Sequence, residues 1–411
     1  MWDETFGDPL IASYILDYIF HHSTTIDIKG KAEKRRGRLV IDLLAIYWHY
    51  FIMSFKHWPI IVLLAGSLSF FSCNHVNGWA TGFKLVDGWG YILHTSDSGQ
   101  TWARQGSATQ LDGIVISDVS AINPQTALAC GYRFDPLTNE ALSPVIIKTI
   151  DGGMTWQFQN LPSSFEGIAL YEIKAVDQNV IWACGSQGLI LRTVNGGITW
   201  DDRSYPSQEA FFGGIAAADR NRAVAGGLLV QSSLVLVVRT EDGGFTWAAP
   251  TSKPDDWDAV IEVAWIPNSS TVWAVGNAPP QRGGLGGPAL VSKDNGATWE
   301  HKLERLALSH TNAVFPWNED IVWVGADRGN VRYTLNGGTT WESPFIPKNL
   351  WIGGISAIST TELWMAGFTE GGREGYIIHS IDGGANWEVQ PAPSSEPLWR
   401  ISMAKWYNGP N

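Results

Sequence analysis

The sequence predicts an all-β protein: a seven-bladed β-propeller of four-stranded antiparallel blades, closed by the C-terminal strand joining the N-terminal blade. Three observations carry that prediction. One octapeptide recurs seven times, its tryptophans lie 42 to 54 residues apart, and each interval repeats the same order of short apolar runs. A period of 40 to 50 residues suits one four-stranded blade.

The octapeptide reads Ser/Thr-x-Asp/Asn-x-Gly-x-Thr/Asn-Trp. Its copies are TSDSGQTW (95–102), TIDGGMTW (149–156), TVNGGITW (193–200), TEDGGFTW (240–247), SKDNGATW (292–299), TLNGGTTW (334–341) and SIDGGANW (380–387). Asp or Asn at the third place accepts backbone N–H groups and closes a turn. The fifth-place Gly permits a left-handed backbone. The Trp packs between blades and opens the fourth strand. Before each box run an apolar inner strand such as LYEIKAV (170–176), a W-A-x-G-like second strand such as IWACG, and a third strand such as LILRT. These are apolar runs bounded by turn residues, the signature of strands.

The two ends complete each other. The segment 397–406, PLWRISMAKW, reads as an inner strand with no partner after it, and NGWATG at 77–82 reads as a second strand with no inner strand before it. Joining them gives the first blade and removes exposed sheet edges.

Composition narrows the function. Of 411 residues only 17% are charged, while Gly (44) and Trp (22) are abundant, which fits a folded chain of many tight turns. The net charge is −12, and the seven Lys/Arg and seven Asp/Glu of residues 1–72 cancel, so the remainder keeps it. Nucleic-acid binders present basic stripes, so no nucleic-acid partner is expected. Cys130 and Cys184 occupy equivalent second-strand positions of neighbouring repeats, too far apart for a bridge, and are expected as buried thiols. No CxxC pair or HExxH helix occurs, so neither metal nor cofactor is expected.

Residues 53–72, MSFKHWPIIVLLAGSLSFFS, form a secretory signal: Lys56, then an apolar core, then small Ser72 before Cys73. The ending SFFSC is similar to a lipoprotein box, which implies lipidation of Cys73. The protein is therefore expected to be exported and lipid-anchored in the cell envelope, periplasmic or on the outer-membrane surface. Fifty-two residues precede this signal. Part of them, 2–38, resembles the C-terminal tail of IstB-type transposition helper ATPases, without a phosphate-binding loop. Residues 1–52 are expected to be an upstream segment and Met53 the true start, leaving 73–411 as the propeller.

The octapeptide is identified as the Asp-box, or BNR repeat, found in sialidases and in photosystem II stability/assembly factor-like propellers. The resemblance to the second family runs through residues 77–406 in both the box and the W-A-x-G strand. It implies a non-catalytic scaffold that binds a protein or a glycan, and a monomer. The alternative is a sialidase-like or xyloglucanase-like glycoside hydrolase. Against it, no Arg-Ile-Pro or Arg-Leu-Pro occurs and no catalytic residue is assigned.

The box residues Asp97, Asp151, Asn195, Asp242, Asp294, Asn336 and Asp382 are expected to be structural, since they repeat once per blade and Asn replaces Asp twice. Binding residues are sought at the opposite end, on two–three loops and inter-blade links. Long two–three loops at 132–144, 277–288 and 369–375 each hold one arginine, Arg133, Arg282 and Arg373, expected to reach the central opening and hold a carboxylate. Trp257, Trp351 and Trp399 lie in or near the links and are candidates for stacking on a ligand. His94, Lys148, Arg192, Arg239 and His379, just before the boxes, form a second basic set.

Overall fold

The computed structural model describes residues 76–405 except 85–88, 107, 136, 139, 163–164, 255–258, 278–286, 304–309, 370–373 and 392–395. All belong to the second of two compact units, Met1–Cys73 and Asn74–Asn411. The expected upstream segment 1–52 and the expected signal 53–72, with Cys73, Trp257, Arg282 and Arg373, lie outside the described residues.

Seven antiparallel sheets form the seven blades, their inner strands being Leu398–Ala404, Ile114–Asn123, Leu170–Ala175, Ala210–Ala217, Ala259–Trp265, Thr311–Pro316 and Leu350–Ala357. The C-terminal strand pairs with Asn77–Phe83, Ala80 opposite Ile401, so blade one is built from both ends as expected. Blades four and six have three regular strands, their outer edges reduced to the bridges Arg239–Ala248 and Tyr333–Glu342. Pro250 and Pro344 follow closely and cannot donate to a ladder, which stops the fourth strand. The expected long loop at 132–144 is mostly a hairpin arm, with strands Thr126–Asp135 and Glu140–Thr149 continuing to its tip.

The box turns are alike in all seven copies. In the second, the Thr149 hydroxyl donates to Asp151 Oδ1 (2.8 Å) and accepts the Gly153 N–H (2.8 Å). Asp151 in turn accepts the Thr155 N–H (2.9 Å) and the Thr155 hydroxyl (2.6 Å). Where Asn stands for Asp, its amide donates to the seventh-place hydroxyl instead, Asn195 to Thr199 at 2.8 Å. The turn therefore works with either residue, as a structural role allows.

Tryptophans join the blades. Trp79, Trp182, Trp273, Trp323 and Trp364 of the second strands are fully buried. Each shares a core cluster with the box tryptophan of the following blade, Trp156, Trp247, Trp341, Trp387 and Trp102 respectively. Trp182 meets Trp247 edge-on at 6.3 Å, and Trp273 meets Trp341 at 6.1 Å. Three of the basic set before the boxes serve the same joints, while Lys148 donates to the Gly196 carbonyl and Arg239 pairs with Glu241. His379 stacks on Trp364 (4.4 Å), His94 lies against Trp79 (4.9 Å), and Arg192 sits over Trp182 (5.5 Å).

Candidate protein-binding face

Every inner strand carries an extra residue at the same height. The bulge residues are Ser117, Tyr171, Gly213, Ile261, Asn312, Gly353 and Trp399. In six blades the second strand has Gly opposite the bulge. A side chain there would run into the inner strand's backbone: a Cβ on Gly185 would collide with the carbonyl oxygen of Ala169, and one on Gly276 with that of Ala259. The bulge bends each strand at the mouth of the central opening and re-aims the residue after it toward the axis.

Four of those next residues are charged: Asp118, Glu172, Glu262 and Arg400. Asp118 accepts the Ile173 N–H of the next blade at 3.0 Å, Glu172 the Ile215 N–H at 2.7 Å, and Glu262 the Val314 N–H at 3.3 Å. Each carboxylate thus ties its own inner strand to its neighbour's. Lys174 joins them from blade three, 2.7 Å from Glu172, 3.5 Å from Glu262 and 4.0 Å from Asp118. Arg400, from blade one, reaches Glu262 of blade five at 3.3 Å and also donates to the Gly353 carbonyl. The pairs span the opening at this level, with Lys174 still partly exposed.

Three carboxyls face two cations, so one proton balances the group. Burial pushes the Glu172 carboxyl up to about 7, against the pull of Lys174. The neighbouring carboxylates raise the Lys174 ammonium and the Arg400 guanidinium above their usual values despite burial, so both stay charged. Each of the three carboxylates holds a backbone N–H of the neighbouring inner strand, which gives it a structural task in joining the blades.

Above this plug, at the end of the ring carrying the two–three loops, two aromatic clusters stand half-buried. In one, Tyr171 packs on Phe211 (4.8 Å) and Tyr132 (6.2 Å), bridging blades two, three and four. In the other, Trp351 stacks on Phe368 (4.9 Å), and Trp399 meets Trp351 (5.0 Å), Phe368 (5.3 Å) and Phe83 (5.5 Å), bridging blades seven and one. Tyr171 and Trp399 are themselves bulge residues. Beside Phe211 a groove of about 660 Å³ runs between Ser186–Gln187, Ser207–Glu209 and Val230–Gln231.

Of the sequence-derived candidates, Trp351 and Trp399 belong to this face and touch each other. Arg133 does not reach the opening: its guanidinium lies over Phe158 (5.4 Å), on the outermost strand of blade two. Sequence reasoning missed Arg400 and Lys174, the cations that do lie on the axis. Cys130 and Cys184 are buried and unbridged, and burial holds both thiols well above the usual range. Among the described residues no group of three His, Cys, Asp or Glu is placed to hold a metal ion, and no helix is long and apolar enough to cross a membrane.

No protein-family model matches the chain. A 40-residue stretch is 50% identical to an insertion sequence IS21 putative ATP-binding protein of Pseudomonas aeruginosa, 9% of this chain and 15% of that protein. The chain thus spans about a seventh of that relative's length. Among solved structures the ring is similar to YCF48 bound to D1 peptide, with a TM-score of 0.53 and 18% identity over 75% of this chain and 89% of that one. YCF48 from Cyanidioschyzon merolae is similar over 75% and 94% of the two chains, with a TM-score of 0.49 and 17% identity.

Proposed function

We propose that this protein is a non-catalytic, envelope-anchored propeller that holds a segment of a partner protein on the aromatic face around its ion-paired axis. The observation that carries the reading is the pair of half-exposed aromatic clusters, Tyr132–Tyr171–Phe211 and Phe83–Trp351–Phe368–Trp399, on either side of the ion-paired plug. Aromatic side chains with one buried face dominate protein interfaces, because they bring much apolar area at little entropic cost. Rigid inner strands set their spacing, which limits the ordering cost of binding. The likeness in fold to a ring solved with a bound peptide supports a protein partner. Asp118, Glu172 and Glu262 each tie one inner strand to the next, a scaffold role.

The same platforms suit sugar rings, so the test has two arms. The full chain is immobilised beside a variant carrying Tyr171→Ala, Phe211→Ala, Trp351→Ala and Trp399→Ala. Both are probed with envelope proteins and with a glycan array. A protein retained by the natural chain and lost from the folded variant supports the proposal. Retention of glycans alone transfers the site to carbohydrate, and equal retention by both chains removes the function from this face.

A further inference from the structure

The opposite end of the ring, formed by the boxes, presents apolar side chains to solvent. Apolar side chains at the second and sixth places of a box stand at its turn without a polar group to tie them into it. Ile150, Met154, Val194, Ile198 and Phe245 occupy those places in three consecutive blades, and Leu335 and Ile381 in two more; all seven are exposed, Met154 at 81% and Ile198 at 78%. They make up half of the large exposed apolar side chains among the described residues. An arc of such side chains on one face of a folded protein marks an interaction surface.

The path of the chain identifies what covers it. Val76 is fixed to the first box, its N–H donating to Ser98 Oγ (3.0 Å) and its carbonyl accepting the Ser98 N–H (3.0 Å). Cys73 is three residues earlier, within about 11 Å of fully extended chain. A lipid on Cys73 therefore holds the box end of the ring against the bilayer, not the loop end.

We propose that the box face is a membrane-docking surface, with the apolar tips of blades two, three and four, joined by those of six and seven, set into the headgroup region beside the anchored end of blade one. This rests on the envelope-anchor reading above. The arrangement turns the aromatic face away from the membrane, open to a partner. Asp177, Asp219, Glu319 and Asp320 lie in the one–two loops at this same end. Cations stand among them, Arg220 and Arg222 in the loop of Asp219 and Lys293 at the tip of the fifth box, and among the described residues Asp219 pairs with Arg222 at 2.8 Å. Zwitterionic headgroups therefore suit the face better than anionic ones.

The test uses the full-length, processed protein in phosphatidylcholine vesicles. An environment-sensitive probe is placed on a single introduced cysteine, by Met154→Cys, Ile198→Cys or Leu137→Cys. Leu137 is 93% exposed on the loop face and Cys130 and Cys184 are buried, so background labelling stays low. Mass spectrometry of the N-terminal peptide reads the acylation of Cys73 separately. The expected result is an acylated Cys73, a blue shift with quenching by bromolipid at positions 154 and 198, and neither change at 137. An acylated protein whose box tips are not quenched, or are quenched no more than position 137, overturns the docking and leaves the anchor standing. An unacylated Cys73 overturns the anchor, and the docking with it.

Discussion

The box shows what one hydroxyl does. The Thr149 oxygen is buried, accepts two backbone N–H groups and donates to Asp151. Thr149→Val keeps the shape and strands those donors, so it should lower the unfolding free energy by about 1–3 kcal/mol in urea titration, while Thr149→Ser stays close to the natural chain. Acid should attack the same turns. Hydrogen bonds from Thr155 and Thr149 hold Asp151 at about 2, and bonds from Thr246 and Thr240 hold Asp242 at about 2, below the ordinary value of 3.8. A depressed carboxyl stabilises the fold above its unfolded pKa, and that stability is lost on protonation. Loss from the boxes should therefore fall between about pH 4 and pH 2. His94 acts earlier. Burial lowers it from 6.5 to about 4, so the fold favours the neutral ring and stability falls as pH drops through that interval. His94→Gln should flatten the stability profile between pH 6.5 and 4 and leave the steeper loss below pH 4 in place.

At the scale of strands, much was legible and one feature was not. Each box could be read from its octapeptide, and the shared first blade from two half-blades left over at the ends. The bulges were hidden because the extra residues, from Ser117 to Trp399, have no type in common; backbone register makes them, not side-chain chemistry. A trace did exist in the recurrent Gly of the W-A-x-G strand, which faces the bulge. Gly185→Ala should force the strands apart against the Ala169 carbonyl and cost about 1–3 kcal/mol of stability by calorimetry. The axial charges also left a signal: charged residues inside otherwise apolar inner strands, two in LYEIKAV and one in VIEVAW. Their convergence could not be seen, because it requires knowing which position follows each bulge. Position alone likewise separated Arg133, drawn outward over Phe158, from Arg400, held on the axis.

The whole ring depends on agreement around its circumference. Five buried tryptophan joints couple consecutive blades, and that from Trp364 to Trp102 crosses the join between the chain's ends. Trp364→Ala should cost about 3–5 kcal/mol, as large buried aromatics do, and should unfold the ring as one unit in a single transition. Lys174→Met tests the axis in the same way. It removes the partly exposed cation shared by the buried carboxyls of Asp118, Glu172 and Glu262, so the variant should be less stable than the natural chain, and more so as pH rises above 7. Both variants act on the scaffold that keeps the aromatic clusters at fixed spacing. Their effect on binding should follow their effect on folding, in contrast to the half-exposed aromatics themselves.

That contrast leads to the most direct measurement, site-specific photo-crosslinking in intact cells. A photoreactive residue is placed in turn at Phe211 and Trp399 on the aromatic face, at Phe158 on the outer edge and at Ile198 on the box face. The expected result is that positions 211 and 399 both capture the same protein partner, that position 158 captures none of it, and that position 198 yields lipid adducts. A partner captured from position 198 or 158 but not from 211 and 399 would contradict it, and would move recognition away from the mouth of the ring.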